Sequence, residues 1–234
     1  MSADLAIQHA DGPALPWRPA AIFFDLDGTL ADTAADLAAP VNAMRVQRGW
    51  APLPLAQLRP FASMGARGLI GAGLGVGRDD PAFEDLKNVF LARYEAAMCV
   101  HTRLFAGLDA LLDTLDARGI AWGVVSNKVE RYVRPIMAEL GILHRSASAV
   151  GGDTTGFAKP HPEPLLHAAR LARVEPRHCV YVGDDERDIE AGRAAGMLTV
   201  AAGYGFCGDA RPPHAWGADH LVDTPGALAA LLLA

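Results

Sequence analysis

The sequence predicts an α/β protein: a parallel sheet covered by helices on both faces, with a helical insert after the first strand. Three observations carry this expectation. Short apolar runs alternate with amphipathic stretches over most of the chain, as parallel sheets require. Acidic and small polar residues recur where those runs end. Between residues 35 and 101 the alternation stops, and only helical spacing remains.

Taken in order, Pro13, Pro16 and Pro19 mark residues 1–19 as an extended, flexible leader. Ala20–Phe24 reads as a buried strand, and Asp25-Leu26-Asp27-Gly28-Thr29 follows, with a glycine that permits a turn. In the insert, Leu37, Val41 and Met44 form one helical stripe. Phe83, Leu86, Phe90 and Tyr94 form a second, read as core packing without chemistry. Gly71, Gly73, Gly75 and Gly77 follow no strand and miss the spacing of a nucleotide loop, so they read as a flexible turn. The insert is placed to act as a lid over the strand ends.

The core resumes with a helix whose Leu108, Leu111, Leu112 and Leu115 share one face, closed by Gly119. Ala121–Ser126 is the next strand. A helix with Pro135 inside it follows Lys128, either kinked there or starting late. Another helix runs from about Pro164 to Arg173, opened by its proline. Cys179–Val182 and Met197–Ala201 are strands, Asp188 to Gly196 a helix, His220–Val222 a short edge strand, and Leu228–Ala234 a terminal helical turn.

Bulk properties narrow the function. The chain has 234 residues and a net charge of −6, which disfavours nucleic-acid binding through a broad basic face and leaves a local basic patch open. Cys99, Cys179 and Cys207 form no CxxC pair and read as reduced thiols. No cationic start with an apolar core precedes residue 20, and no apolar run nears the roughly 20 residues of a membrane span. A cytoplasmic protein without membrane contact is therefore expected. Monomer and homodimer both remain open.

Four separated pieces carry chemistry: Asp25 with Asp27, Ser126-Asn127, Lys159-Pro160, and the run Gly183-Asp184-Asp185-Glu186-Arg187-Asp188. Each follows a strand or opens a helix. Taken singly, a serine there is a turn former, a lysine is solvated, and the acidic run is a charged turn. Jointly they meet at the carboxyl ends of the strands, where open α/β sheets bind ligands. Asp25, Asp27, Asp184 and Asp188 would then crowd one crevice. Two like charges at about 4 Å repel by roughly 4 kcal/mol at an effective dielectric near 20. A hard divalent cation such as Mg²⁺ answers that repulsion, and with Lys159 it makes a phosphate the natural substrate group. Arg67, in Ser63-Met64-Gly65-Ala66-Arg67-Gly68, could pair with a substrate carboxylate or serve as a solvated arginine of the insert.

The DLDGT segment, the strand-terminal serine, the KP pair and the GDxxxD segment, in that order, resemble the haloacid dehalogenase superfamily of phosphatases over residues 20 to about 205. The resemblance implies a doubly wound (Rossmann-like) core, residues 20–34 and 102–234, with a cap domain at 35–101. It implies Asp25 as the nucleophile, Asp27 as acid and then base, and Thr29, Ser126, Asn127 and Lys159 as phosphate-site residues. It further implies Mg²⁺ held by Asp25, the Asp27 carbonyl and Asp184. Asp188 would orient Lys159 or bind the metal indirectly, and Asp185 would share the metal or face solvent. Within the superfamily the chain is similar to phosphoglycolate phosphatases. SMGARGLI and RPPHAWGADHLVDTP resemble a bacterial subgroup acting on N-acetylmuramic acid 6-phosphate. A phosphomutase, or a catalytically silent binding protein on the same scaffold, is the alternative.

Overall fold

The computed structural model describes residues 15–208 and 211–234. Residues 1–14 of the expected leader lie outside the described residues. Leu15 and Trp17 pack against the core, and the Trp17 ring meets His178 edge-on at 6.3 Å. The last part of the leader is therefore seated, because its apolar side chains find a surface to cover.

In chain order, β1 (Ala21–Phe24) is followed by β2 (Ala31–Asp32) and by helices α1 (Ala34–Gln47), α2 (Leu55–Leu58), α3 (Gly65–Leu74) and α4 (Phe83–Ala96). β3 (Arg103–Leu104) then returns antiparallel to β2. The rest runs α5 (Leu108–Ala117), β4 (Ala121–Val125), α6 (Glu130–Glu139), β5 (Ala149–Val150) and α7 (Glu163–Ala172). It ends with β6 (Cys179–Gly183), α8 (Glu186–Ala194), β7 (Leu198–Ala202), β8 (His220–Val222) and α9 (Pro225–Leu233). Six strands form one sheet in the order β5-β4-β1-β6-β7-β8, with every pairing parallel. The chain winds outward from β1 through β4 to β5, then crosses to β6 on the other side. That reversal flanks β1, so its carboxyl end lies at the topological switch point.

Side-chain alternation builds the layers. Ile22, Phe24, Val124, Val180 and Val182 share one buried cluster with leucines of α5 and with Val133 and Ile136 of α6. Ala21, Phe23, Val125, Cys179 and Tyr181 point the other way and pack with α7 and α8. A strand buried on both faces cannot alternate apolar with polar, which is why these segments read as continuous apolar runs.

Helices α1 to α4 extend the first cluster across the carboxyl end of the sheet through Val41, Met44, Leu69, Phe90 and Tyr94. Here the glycines depart from expectation. Gly71 and Gly73 lie inside α3, and Gly75 is its left-handed cap. A Cβ on Gly73 would meet the Val41 side chain at 2.3 Å. The small residue lets α3 press against α1, so Gly71 and Gly73 belong to packed helix, and only Gly77 lies in the loop beyond the cap. The terminal turn is likewise a full helix, α9. Strands β2, β3 and β5 have two residues each, too few to show a period.

The insert leaves and rejoins the core at one place, where β2 pairs with β3. Asp36, buried in the first turn of α1, fastens this base. Its carboxylate accepts from the backbone N–H groups of His101 (2.9 Å) and Thr102 (2.8 Å) and from the Thr102 hydroxyl (2.7 Å). Among the described residues no helix is long and apolar enough to cross a membrane. Replacing Asp36 by alanine leaves these donors unmatched, so D36A should lose about 3 kcal/mol of unfolding free energy in urea denaturation.

Candidate active site

The loop after β1 enters the site under strict backbone control. The Asp25 N–H continues the ladder to Val182 O at 2.9 Å, and the Leu26 N–H donates to Asp25 Oδ1 at 2.7 Å. Gly28 then turns with φ +87°, and a Cβ there would lie 2.1 Å from Asp184 Oδ2. Only glycine lets this loop close against the acid that follows β6. Asp184 is wholly buried. It accepts from the Thr29 hydroxyl at 3.0 Å and the Phe206 N–H at 2.7 Å.

Lys159 reaches the centre of the site from the loop before α7, with 2% of its side chain exposed. Its Nζ lies 2.6 Å from Asp188 Oδ1, 3.1 Å from Asp25 Oδ1, 3.0 Å from Val125 O and 2.9 Å from the Tyr181 hydroxyl. The Tyr181 hydroxyl in turn donates to Val125 O at 2.8 Å. Burial works to discharge Lys159, but the carboxylates of Asp188 and Asp25 outweigh it and hold its proton more tightly than usual. One ammonium does not balance the acids. Carboxylate oxygens of Asp25, Asp184 and Asp188 lie within 4.8 Å of one another. Burial, then the charges of Asp25 and Asp188, push the Asp184 carboxyl far above its ordinary range. Burial likewise pushes Asp188 up to about 7, against the opposing pull of Lys159. Three buried hard-oxygen donors with unbalanced negative charge suit a small divalent cation.

Asp27 faces a different partner. Its carboxylate accepts from Thr33 Oγ1 at 2.6 Å and from Lys128 Nζ at 2.8 and 3.0 Å. Lys128 also lies 5.0 Å from the centre of the Tyr94 ring. Burial acts to discharge Lys128, and the Asp27 charge more than reverses that, raising its proton affinity. The Ser126 Oγ accepts the Lys128 N–H at 3.3 Å, so its own proton remains available to a ligand. Asn127 and Lys159 exchange two hydrogen bonds, side-chain amide to backbone, at 2.8 and 2.9 Å.

Asp25, Asp27, Ser126, Asn127, Lys159, Asp185 and Asp188 all line a cavity of about 300 Å³ between the sheet's carboxyl edge and the insert. Its opposite wall is mostly apolar, with Leu37, Met64, Phe90, Leu91 and Tyr94. Several expectations change here. Arg67 is exposed and is not among the lining residues; the arginine at the cavity is Arg187. Asp185 is half-buried and stands outside the acidic cluster. It caps α8 and holds Arg187 by two contacts, 2.7 and 2.8 Å. Asp188 joins the cluster and holds Lys159, as expected, whereas the Asp27 side chain is occupied by Lys128. Thr29 serves Asp184 and lies outside the cavity wall. The Phe90–Tyr94 stripe, expected to be plain core, forms part of that wall.

Sequence reasoning passed over Lys128, Tyr181 and Arg187. Lys128 sits two residues beyond Ser126 on the same strand-end loop, and Arg187 lies inside the acidic run, so position alone could have raised both. Tyr181 looks like any strand residue.

Residues 22–202 match the family described as haloacid dehalogenase-like hydrolase. The chain is 47% identical over 207 residues to a phosphoglycolate phosphatase of Xanthomonas campestris, covering 88% of this chain and 93% of that one. It is 42% identical over 208 residues to an N-acetylmuramic acid 6-phosphate phosphatase of Pseudomonas aeruginosa, covering 89% and 92%. Among solved structures, a predicted phosphoglycolate phosphatase of Haemophilus somnus superposes with a TM-score of 0.77 at 27% identity, covering 89% and 95%.

The buried Lys128–Asp27 pair yields a prediction. Lys128→Met should cost about 3 kcal/mol, as one partner of a buried pair is removed. Because the folded state raises the Lys128 proton affinity, the pair's contribution is full below the ordinary lysine range and fades only far above it. The loss in urea denaturation should therefore be the same at about pH 6 and about pH 9.

Proposed function

The chain belongs to the haloacid dehalogenase-like hydrolases and is a phosphoric monoester hydrolase; from that premise we propose that it is a Mg²⁺-dependent, cytoplasmic phosphatase acting through an aspartyl-phosphate on Asp25. The substrate is a small phosphomonoester that carries a carboxylate, of the kind named for its relatives: phosphoglycolate or N-acetylmuramic acid 6-phosphate. The observation that carries this reading is the convergence of Asp25, Asp184, Asp188 and Lys159 at one buried point.

Asp25 is the nucleophile, its carboxylate fixed at the switch point by Leu26 N–H and Lys159. Such a nucleophile divides hydrolysis into two displacements. In the first, an Asp25 oxygen bonds to phosphorus, the ester P–O bond breaks, and Asp27 gives its proton to the departing alkoxide. In the second, water attacks the same phosphorus while Asp27 receives its proton, and Asp25 leaves as carboxylate. Lys128 and Thr33 donate to the Asp27 side chain and fix its position; the proton it takes from water in the second step is the one it gives to the next leaving group. Ser126 donates its hydroxyl proton to a phosphoryl oxygen. Lys159 neutralises charge on both Asp25 and the phosphate, which matters because phosphoryl transfer is governed by positioning and electrostatics. Asn127 acts through its two bonds to Lys159, fixing that loop. Asp25, Asp184 and Asp188, with the Asp27 carbonyl, are the groups that would hold Mg²⁺. Bound there, the ion supplies charge stabilisation to the transferring phosphoryl group.

The cavity's size and apolar wall favour the sugar acid over the two-carbon acid, which would fill little of about 300 Å³. Asp25→Asn should lower turnover of both acids by at least about a thousandfold while the melting temperature stays near wild type. Near-native activity would remove Asp25 as nucleophile. Millimolar Mg²⁺ should raise the wild-type melting temperature by a few degrees, about what binding at 100 times Kd gives. Asp184→Asn should abolish that rise, and an EDTA-resistant rate would contradict the metal assignment.

A further inference from the structure

Two hydroxyls of the insert have no use in the chemistry above and make no close hydrogen bond in the fold. Among the described residues, Tyr94 Oη and Ser63 Oγ are buried without any hydrogen-bond partner, and both residues line the active-site cavity. Buried polar atoms are nearly always paired, and an unpaired one is costly. Neighbouring groups show that partners were available to others. The Tyr132 hydroxyl, packed edge-on to Tyr94, donates to Glu95 at 2.8 Å. The Ser63 carbonyl accepts from Arg187 Nη2 at 3.1 Å, so only its hydroxyl is left over.

Lys128 adds a direction. Two contacts join its ammonium to Asp27, and its remaining hydrogen is within reach of the Tyr94 hydroxyl. It lies against the Tyr94 ring. Burial pushes the Tyr94 hydroxyl up to about 12, so it remains a donor at every physiological pH. A phenolic proton beside an ammonium suits an anionic oxygen.

We propose that Tyr94 and Ser63 are the insert's specificity residues: Tyr94, with Lys128, receives the substrate carboxylate, and Ser63 a neighbouring hydroxyl or amide oxygen of the substrate body. This rests on the carboxylated-phosphomonoester reading and places its recognition in residues other than Arg67. The phosphoryl group belongs on the sheet side; Tyr94 and Ser63 belong to the insert's side of the lining, where the rest of the molecule must fit. A site built to bond an oxygen rejects analogues that lack it.

The test compares kcat/KM for N-acetylmuramic acid 6-phosphate and phosphoglycolate with that for p-nitrophenyl phosphate, in wild type, Tyr94→Phe and Ser63→Ala. Tyr94→Phe should reduce the ratio of acid to aryl phosphate by at least about tenfold, the effect of losing a hydrogen bond to a charged group, chiefly through KM. Ser63→Ala should lower the ratio for the sugar acid and spare that for phosphoglycolate. Neither variant should lower the melting temperature of the unliganded protein, because each removes an unpaired buried group. An unchanged ratio, or a melting temperature that falls, overturns the inference and makes the hydroxyls structural. A wild type active on the aryl ester but on neither acid overturns the substrate reading instead.

Discussion

A single buried ammonium organises this protein. Lys159 sits where loops after β1, β4 and β6 converge, bound to Asp25, to the last carbonyl of β4, to the Tyr181 hydroxyl and to Asp188. Each contact comes from a different stretch of chain. No group of these acids could be buried alone, since an ionised carboxylate out of water is costly unless paired. Lys159 makes the cluster tolerable, yet leaves it short of positive charge. The site is thus stable enough to form, and its unbalanced charge suits a cation.

The sheet supplies the precision. Neighbouring parallel strands in register place Asp25 beside Gly183, and the crossing from β5 to β6 opens the crevice at β1. Gly28 and Asp184 then lock the first loop against the last motif. Phosphoryl transfer gains most from groups already in place when charge develops, and here they stand on strand ends and short loops fixed by backbone hydrogen bonds.

Much of this was legible in the residues. The long apolar strands announced the parallel sheet, because burial on both faces removes the polar half of the pattern. The acids, serine and lysine were legible because each stood at a strand end or opened a helix. What escaped had physical reasons. Two-residue strands carry no period. Tyr181 and Tyr94 sit on apolar stripes, and their roles depend on where one hydroxyl atom points. Lys128 went unread because its partner, Asp27, lies 101 residues away in the chain. Arg67 misled because a helix carries it out of the cavity, while Arg187, hidden among acids, stays at the wall.

The paired β2 and β3 segments have a consequence for how such a chain can change over time. They join the two ends of the insert before either reaches the sheet, so the core senses one narrow neck whatever hangs beyond it. Closing a longer loop costs little more than closing a shorter one. Residues between the neck's two sides can therefore be lengthened, shortened or exchanged with small effect on the catalytic half. New substrates become reachable by rewriting the roof while the floor is kept.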